Sequence, residues 1–96
     1  MRVEIKKATQ KGKKLQAIFY DDDGKKIKTI PFGQEGASDF TKHKNEERKK
    51  RYDDRHKTRE DWNNPMTAGA LSKWILWDKP TLKQGIASFK KRFDLK

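Results

Sequence analysis

The stretch Ser38–Trp77, SDFTKHKNEERKKRYDDRHKTREDWNNPMTAGALSKWILW, sets a dense basic segment directly before the most apolar segment of the chain. Asn45 is a helix cap, and Glu46 and Glu47 fall in the first turn, where the helix dipole favours carboxylates. Glu46 with Lys50 and Glu47 with Arg51 are spaced as i,i+4 pairs in the favourable order. Arg48, Arg51, Arg55 and Arg59 recur at helical spacing, so a helix over 45–60 presents them as one stripe. Tyr52 is the only large apolar side chain between Thr41 and Glu60. A helix with so little apolar surface has no buried stripe, and is the outlying element of the fold. From Lys42 to Arg59 there are nine Lys and Arg against four acids, so internal pairing leaves a positive excess. Two readings follow. The helix is a solvated face held by its own ion pairs, or its arginines, which suit bidentate contact with phosphate or carboxylate, meet a polyanion.

The apolar segment begins at the turn Asn64-Pro65, with helix two starting at Pro65 or Thr67. Leu71, Trp74 and Ile75 form a core-facing stripe, with Trp77 at its edge. Pro80 ends that helix. Thr81 caps helix three, with Gln84 completing a capping box, and Leu82, Ile86, Phe89 and Phe93 make its core face. Gly85 is expected to allow close helix packing, admitting a tryptophan ring from helix two. Lys90, Lys91 and Arg92 form a second basic cluster in the last turn.

N-terminal to Ser38, alternation of period two predicts strands over Met1–Ala8, Leu15–Tyr20 and Lys25–Phe32. The Gly12 turn and the Asp21-Asp22-Asp23-Gly24 loop join them. Pro31 marks an edge position or the strand's end. The expected architecture is α+β: a three-stranded antiparallel β-meander over 1–32, a connector over 33–44, the basic helix over 45–60, and two core helices within 64–96. The whole is one small domain.

Composition narrows the partners. There are 25 Lys and Arg against 14 Asp and Glu, a formal net charge of +11, and hydrophobic residues make up 31%. Such a charge favours nucleic acid or an acidic protein surface. No apolar run approaches the roughly 20 residues of a membrane span, and the N-terminus lacks the apolar core of a signal peptide, so neither membrane nor secretion is expected. Cysteine is absent, which excludes disulfides and thiolate metal sites. There is no glycine-rich phosphate loop and no nucleophile elbow, so no small-molecule substrate, catalytic residue, metal or cofactor is assigned. Asp21–Asp23 reads as turn chemistry. Asp39, His43, Asn45 and His56 are residue types a metal-dependent nuclease uses, without a recognisable spacing.

Phe32-Gly33, Ser38-Asp39-Phe40-Thr41-Lys42-His43-Lys44, Arg48, Arg51-Tyr52, Arg55-His56-Lys57, Glu60-Asp61-Trp62-Asn63, Thr67-Ala68-Gly69-Ala70-Leu71-Ser72, Trp74-Ile75-Leu76-Trp77 and Lys79-Pro80-Thr81-Leu82 carry a resemblance. They resemble a family of small uncharacterised proteins encoded by large DNA viruses of algae and protists and by some tailed phages. The resemblance implies a viral origin and raises the prospect of a virion component inside virion or host cell. It brings no catalytic residues with it.

The expected function is therefore non-enzymatic binding of nucleic acid through its phosphate backbone, without strong sequence preference. Arg48, Lys49, Lys50, Arg51, Arg55, Arg59, Lys90, Lys91 and Arg92 would make the contacts. The alternative is a minor capsid or cement protein whose basic helix docks on an acidic capsid protein, anchored by Tyr52 or Trp62. A metal-dependent nuclease is the third reading.

Overall fold

Alternating apolar and polar side chains fold the first third of the chain into the expected meander. The structure is a computed structural model that describes residues 1–96. Strands β1 (Arg2–Lys7), β2 (Lys13–Tyr20) and β3 (Lys26–Gln34) form one antiparallel sheet in the order β1-β2-β3. Val3 pairs with Phe19 and Ile5 with Ala17, while Ala17 faces Ile30 and Leu15 faces Phe32. These side chains share one face, which is the face that packs into the core. Pro31 sits in an edge strand, where its missing N–H costs no ladder bond. The Asp-Gly loop closes as turn chemistry demands. Asp21 Oδ1 accepts from the N–H groups of Asp23 and Lys25, and Gly24 takes φ 84°. A bulge at Phe19/Tyr20 throws Ile27 out of register and leaves it 47% exposed.

Four helices follow. The short α1 (Phe40–His43) is capped by Asp39, and α2 (Glu46–His56) by Asn45, whose Oδ1 accepts from the N–H groups of Glu47 and Arg48. Helix α3 (Ala68–Leu71), capped by Thr67, runs straight into a π turn over Ser72–Leu76. Helix two thus starts later than Pro65. Helix α4 (Leu82–Arg92) is capped by Thr81, but Gln84 accepts from the Thr81 hydroxyl instead of reaching back to its backbone N–H.

The core is two-layered. Val3, Ala17, Phe19, Ile30 and Phe32 from the sheet meet Leu71, Ile75, Leu76 and Phe89 from the helices. Leu82 is 38% exposed and does not join this face. Gly85 allows the expected close helix packing, but the neighbour it admits differs from the one expected. A Cβ there would collide with the backbone carbonyl of Ile75, so α4 lies against the helix backbone of its neighbour, not against a tryptophan ring. No helix is long and apolar enough to cross a membrane.

Candidate nucleic-acid interface

Helix α2 has a single buried side chain, Tyr52, and that residue attaches the basic element to the rest of the fold. The Tyr52 ring stacks on Trp77 at 4.4 Å between centroids with 4° between planes. On its other side lies His56 at 4.2 Å. His43 closes the far side of Trp77 at 5.3 Å, so four rings from α1, α2 and the end of the π turn form one column. Tyr52 is therefore only 7% exposed and is not available as an anchor for a partner. Burial, with the Glu60 and Asp53 carboxylates, raises the pKa of its phenol and keeps it protonated.

Trp62, the other expected anchor, is also engaged within the chain. Its indole N–H donates to Glu60 Oε2 at 3.1 Å, its carbonyl accepts from Trp74 Nε1 at 2.8 Å, and its ring meets Trp74 edge-on. Glu60 Oε1 stands 2.6 Å from His56 Nδ1. His56 and Glu60 stand at i,i+4 spacing, and both the Arg59 and Glu60 N–H groups fall on the His56 carbonyl, a shared bond of the kind found at helix ends. Helix α2 consequently stops at His56, short of the expected residue 60, and Arg59 leaves the helical stripe.

Arg48, Arg51 and Arg55 remain on the helix. Together with Asp54 they line one shallow surface depression. Arg51 is held loosely by Glu47 at 3.6 Å, a pair too exposed to contribute more than a few tenths of a kcal/mol. Arg48, Lys50, Arg55 and Arg59 have no carboxylate within ion-pair distance. Two acids of α2, Asp53 and Asp54, are engaged elsewhere. Asp54 serves Lys57 at 3.7 Å, and Asp53 serves Lys73 at 2.8 Å. The expected Glu46–Lys50 pair does not form.

Lys49 does not belong to the exposed set. Its ammonium turns inward, donates to the Asp78 carbonyl at 2.9 Å and lies over the Phe40 ring. It is a strut between α2 and the end of the π turn. Lys73, which carried no expectation, is a buried lysine with Asp53 on one side and Asp78 at 3.9 Å on the other. In the second cluster, Arg92 lies over Trp74, its guanidinium 3.6 Å from the ring centroid, with Lys91 exposed and Lys90 half-buried beside it.

The histidines stand at opposite ends of the ring column, and no three His, Asp or Glu side chains gather as a possible metal-holding group. His43 Nδ1 accepts from the Asn45 N–H at 2.9 Å, while its Nε2 is buried without a partner. Desolvation first, then the nearby Arg48 charge, lowers its pKa; Asp39 opposes both.

A second concavity lies on the inner side of α2. It is a cleft of about 270 Å³ between the end of β3, the Gly33–Asp39 connector, α2 and the π turn. Arg55 borders both this cleft and the outer depression. Nothing in the sequence pattern marked it, because its walls come from four separated segments.

A model of one protein family matches residues 3–56, from β1 to the last residue of α2, more than half of the chain. The chain belongs to the family of unknown function DUF5754. The DUF5754 match takes in the sheet, the connector and the arginine helix, and stops before the tryptophan-rich half that completes the core. No curated protein and no solved structure matches the chain.

Proposed function

We propose that this protein is a non-enzymatic nucleic-acid-binding protein that grips the phosphate backbone through α2, with little regard for base sequence. One observation carries the reading: Arg48, Arg51 and Arg55 lie side by side on an exposed helix face where the only ion pair is the loose one of Arg51 with Glu47, while Asp54 and Asp53 pair with Lys57 and Lys73. A row of guanidiniums with an excess of positive charge is suited to phosphate contacts, which position a protein without reading bases. Exposed Lys50 and Arg59 add charge in and just after α2, and Lys91 and Arg92 form a separate basic cluster at the end of α4. The resemblance to small proteins of large DNA viruses supports a place in the virion, near the genome.

Docking on an acidic capsid protein remains the competing outcome. It loses support because the aromatic anchors it needs, Tyr52 and Trp62, are consumed inside the chain. The test is competition between two duplexes of equal length and unrelated sequence. Equal affinities, within about threefold, support backbone binding. Discrimination approaching the 10³-fold or more of typical specific binders would contradict it.

A further inference from the structure

The cleft behind α2 is a built site whose polar groups are mostly donors. Lys14, Ser38, Tyr52, Arg55, His56 and Ser72 line it. Four of these carry free hydrogen-bonding capacity. The hydroxyls of Ser38, Tyr52 and Ser72 make no hydrogen bond within the chain, and Arg55 has no ion pair. The acid in the wall, Asp39, is already satisfied. It takes Lys14 Nζ at 2.5 Å and the Thr41 N–H and hydroxyl, and its side chain is only 3% exposed. Lys14 and Asp39 cancel, so Arg55 gives the cleft a net positive charge.

The π turn supports the same reading. Ser72, Leu76 and Trp77, from the turn and its end, all line the cleft. The widened turn brings the Ser72 carbonyl to the Trp77 N–H, which ends the helix there. Insertions of this kind in helices cluster at functional sites.

We propose that this cleft binds a phosphate monoester, and that on a nucleic-acid strand it holds the terminal phosphate. The inference rests on the backbone-binding reading for its strand-end form only. At about 270 Å³ the cleft is below the roughly 300–1,000 Å³ of sites for drug-sized ligands, so it suits a phosphate with its sugar and not a duplex. A monoester carries close to two charges at neutral pH and presents three acceptor oxygens, which matches a guanidinium and several hydroxyl donors. Because Arg55 borders both concavities, a strand crossing the Arg48–Arg51 face can end in the cleft without leaving the protein.

The test compares short single-stranded DNA of one sequence with a 5′-phosphate and with a 5′-hydroxyl, measured by fluorescence anisotropy on the full chain. A nucleoside 5′-monophosphate is followed separately by thermal shift. The phosphorylated strand is expected to bind about tenfold more tightly, the gain of one or two charge-assisted hydrogen bonds. Ser72→Ala and Ser38→Glu should erase that ratio, while Arg48→Gln weakens both strands and preserves it. If neither strand binds but the monophosphate raises Tm in the wild type and not in Ser72→Ala, the cleft stands as a site for free mononucleotide and the backbone reading falls. If both strands bind equally and the monophosphate leaves Tm unchanged, the cleft proposal is overturned and the backbone reading survives.

Discussion

Replacing Tyr52 with alanine tests whether the basic helix hangs on one ring. Tyr52 is the only buried residue of α2, and its two faces are covered by Trp77 and His56. Burying an aromatic side chain removes roughly 200 Å² from water, which at about 25 cal/mol per Å² gives an upper figure near 5 kcal/mol. Measured aromatic-to-alanine substitutions in cores cost about 3–5 kcal/mol, so the two routes agree. A domain of this size has about 5–15 kcal/mol in total, so the loss is a large fraction of its stability. Tyr52→Phe is the control. The hydroxyl makes no hydrogen bond within the chain, so its removal should cost less than the roughly 0.5 kcal/mol of even a weak one. Urea unfolding followed by far-UV circular dichroism and tryptophan fluorescence gives both numbers, and amide exchange shows whether α2 melts first. A loss below about 1 kcal/mol in Tyr52→Ala, with α2 amides still protected, would refute the attachment argument.

Other substitutions probe separate parts of the account. Gly85→Ala drives a methyl group into the Ile75 carbonyl and should cost about 1–3 kcal/mol, read as a fall in Tm. Asp53→Ala strands the buried Lys73 ammonium; with Asp53 27% exposed and Asp78 still 3.9 Å away, the loss should be near the lower end of the buried-pair range, about 3 kcal/mol. Lys73→Met should be far milder, because it removes the charge along with its need for a partner. His43 has a folded pKa below its ordinary value of 6.5, so the unfolded chain takes up the proton first as pH falls. The stability His43 contributes is therefore fully present above pH 6.5 and is lost as pH drops from there to the folded value. His43→Phe should flatten that part of the stability–pH curve.

Much of the fold was legible because local rules agreed with the tertiary structure. The period-two alternation, the Asp-Gly loop, the caps Asn45 and Thr81, and the Leu71–Ile75 stripe all act within a few residues of themselves. Helix α2 was drawn too long because Arg59 keeps helical spacing. The helix ends where the His56 carbonyl takes both the Arg59 and Glu60 N–H groups, which the spacing of the arginines does not show. Lys49 looked like surface charge and Lys73 carried no reading, since lysine is rarely buried unless paired. Their carboxylate partners are Asp78 for Lys49, and Asp53 with Asp78 for Lys73. Two of these lie 20 and 29 residues away, beyond the reach of pattern reading. Tyr52 was visible as an isolated ring on a polar helix, but an isolated ring fits an exposed anchor as well as a buried one. Only the column of Trp77 and His56 around it decides.

The central claim is that Arg48, Arg51 and Arg55 are phosphate contacts. Binding of a random-sequence duplex across a salt series, for the wild type and for the variant with all three changed to Gln, tests it most directly. Each neutralised phosphate contributes a slope of about −0.9 in log K against log salt, so the variant should lose about 2.7 of the wild-type slope along with most of its low-salt affinity. A wild type that fails to bind at low salt, or a variant with an unchanged slope, would contradict the claim.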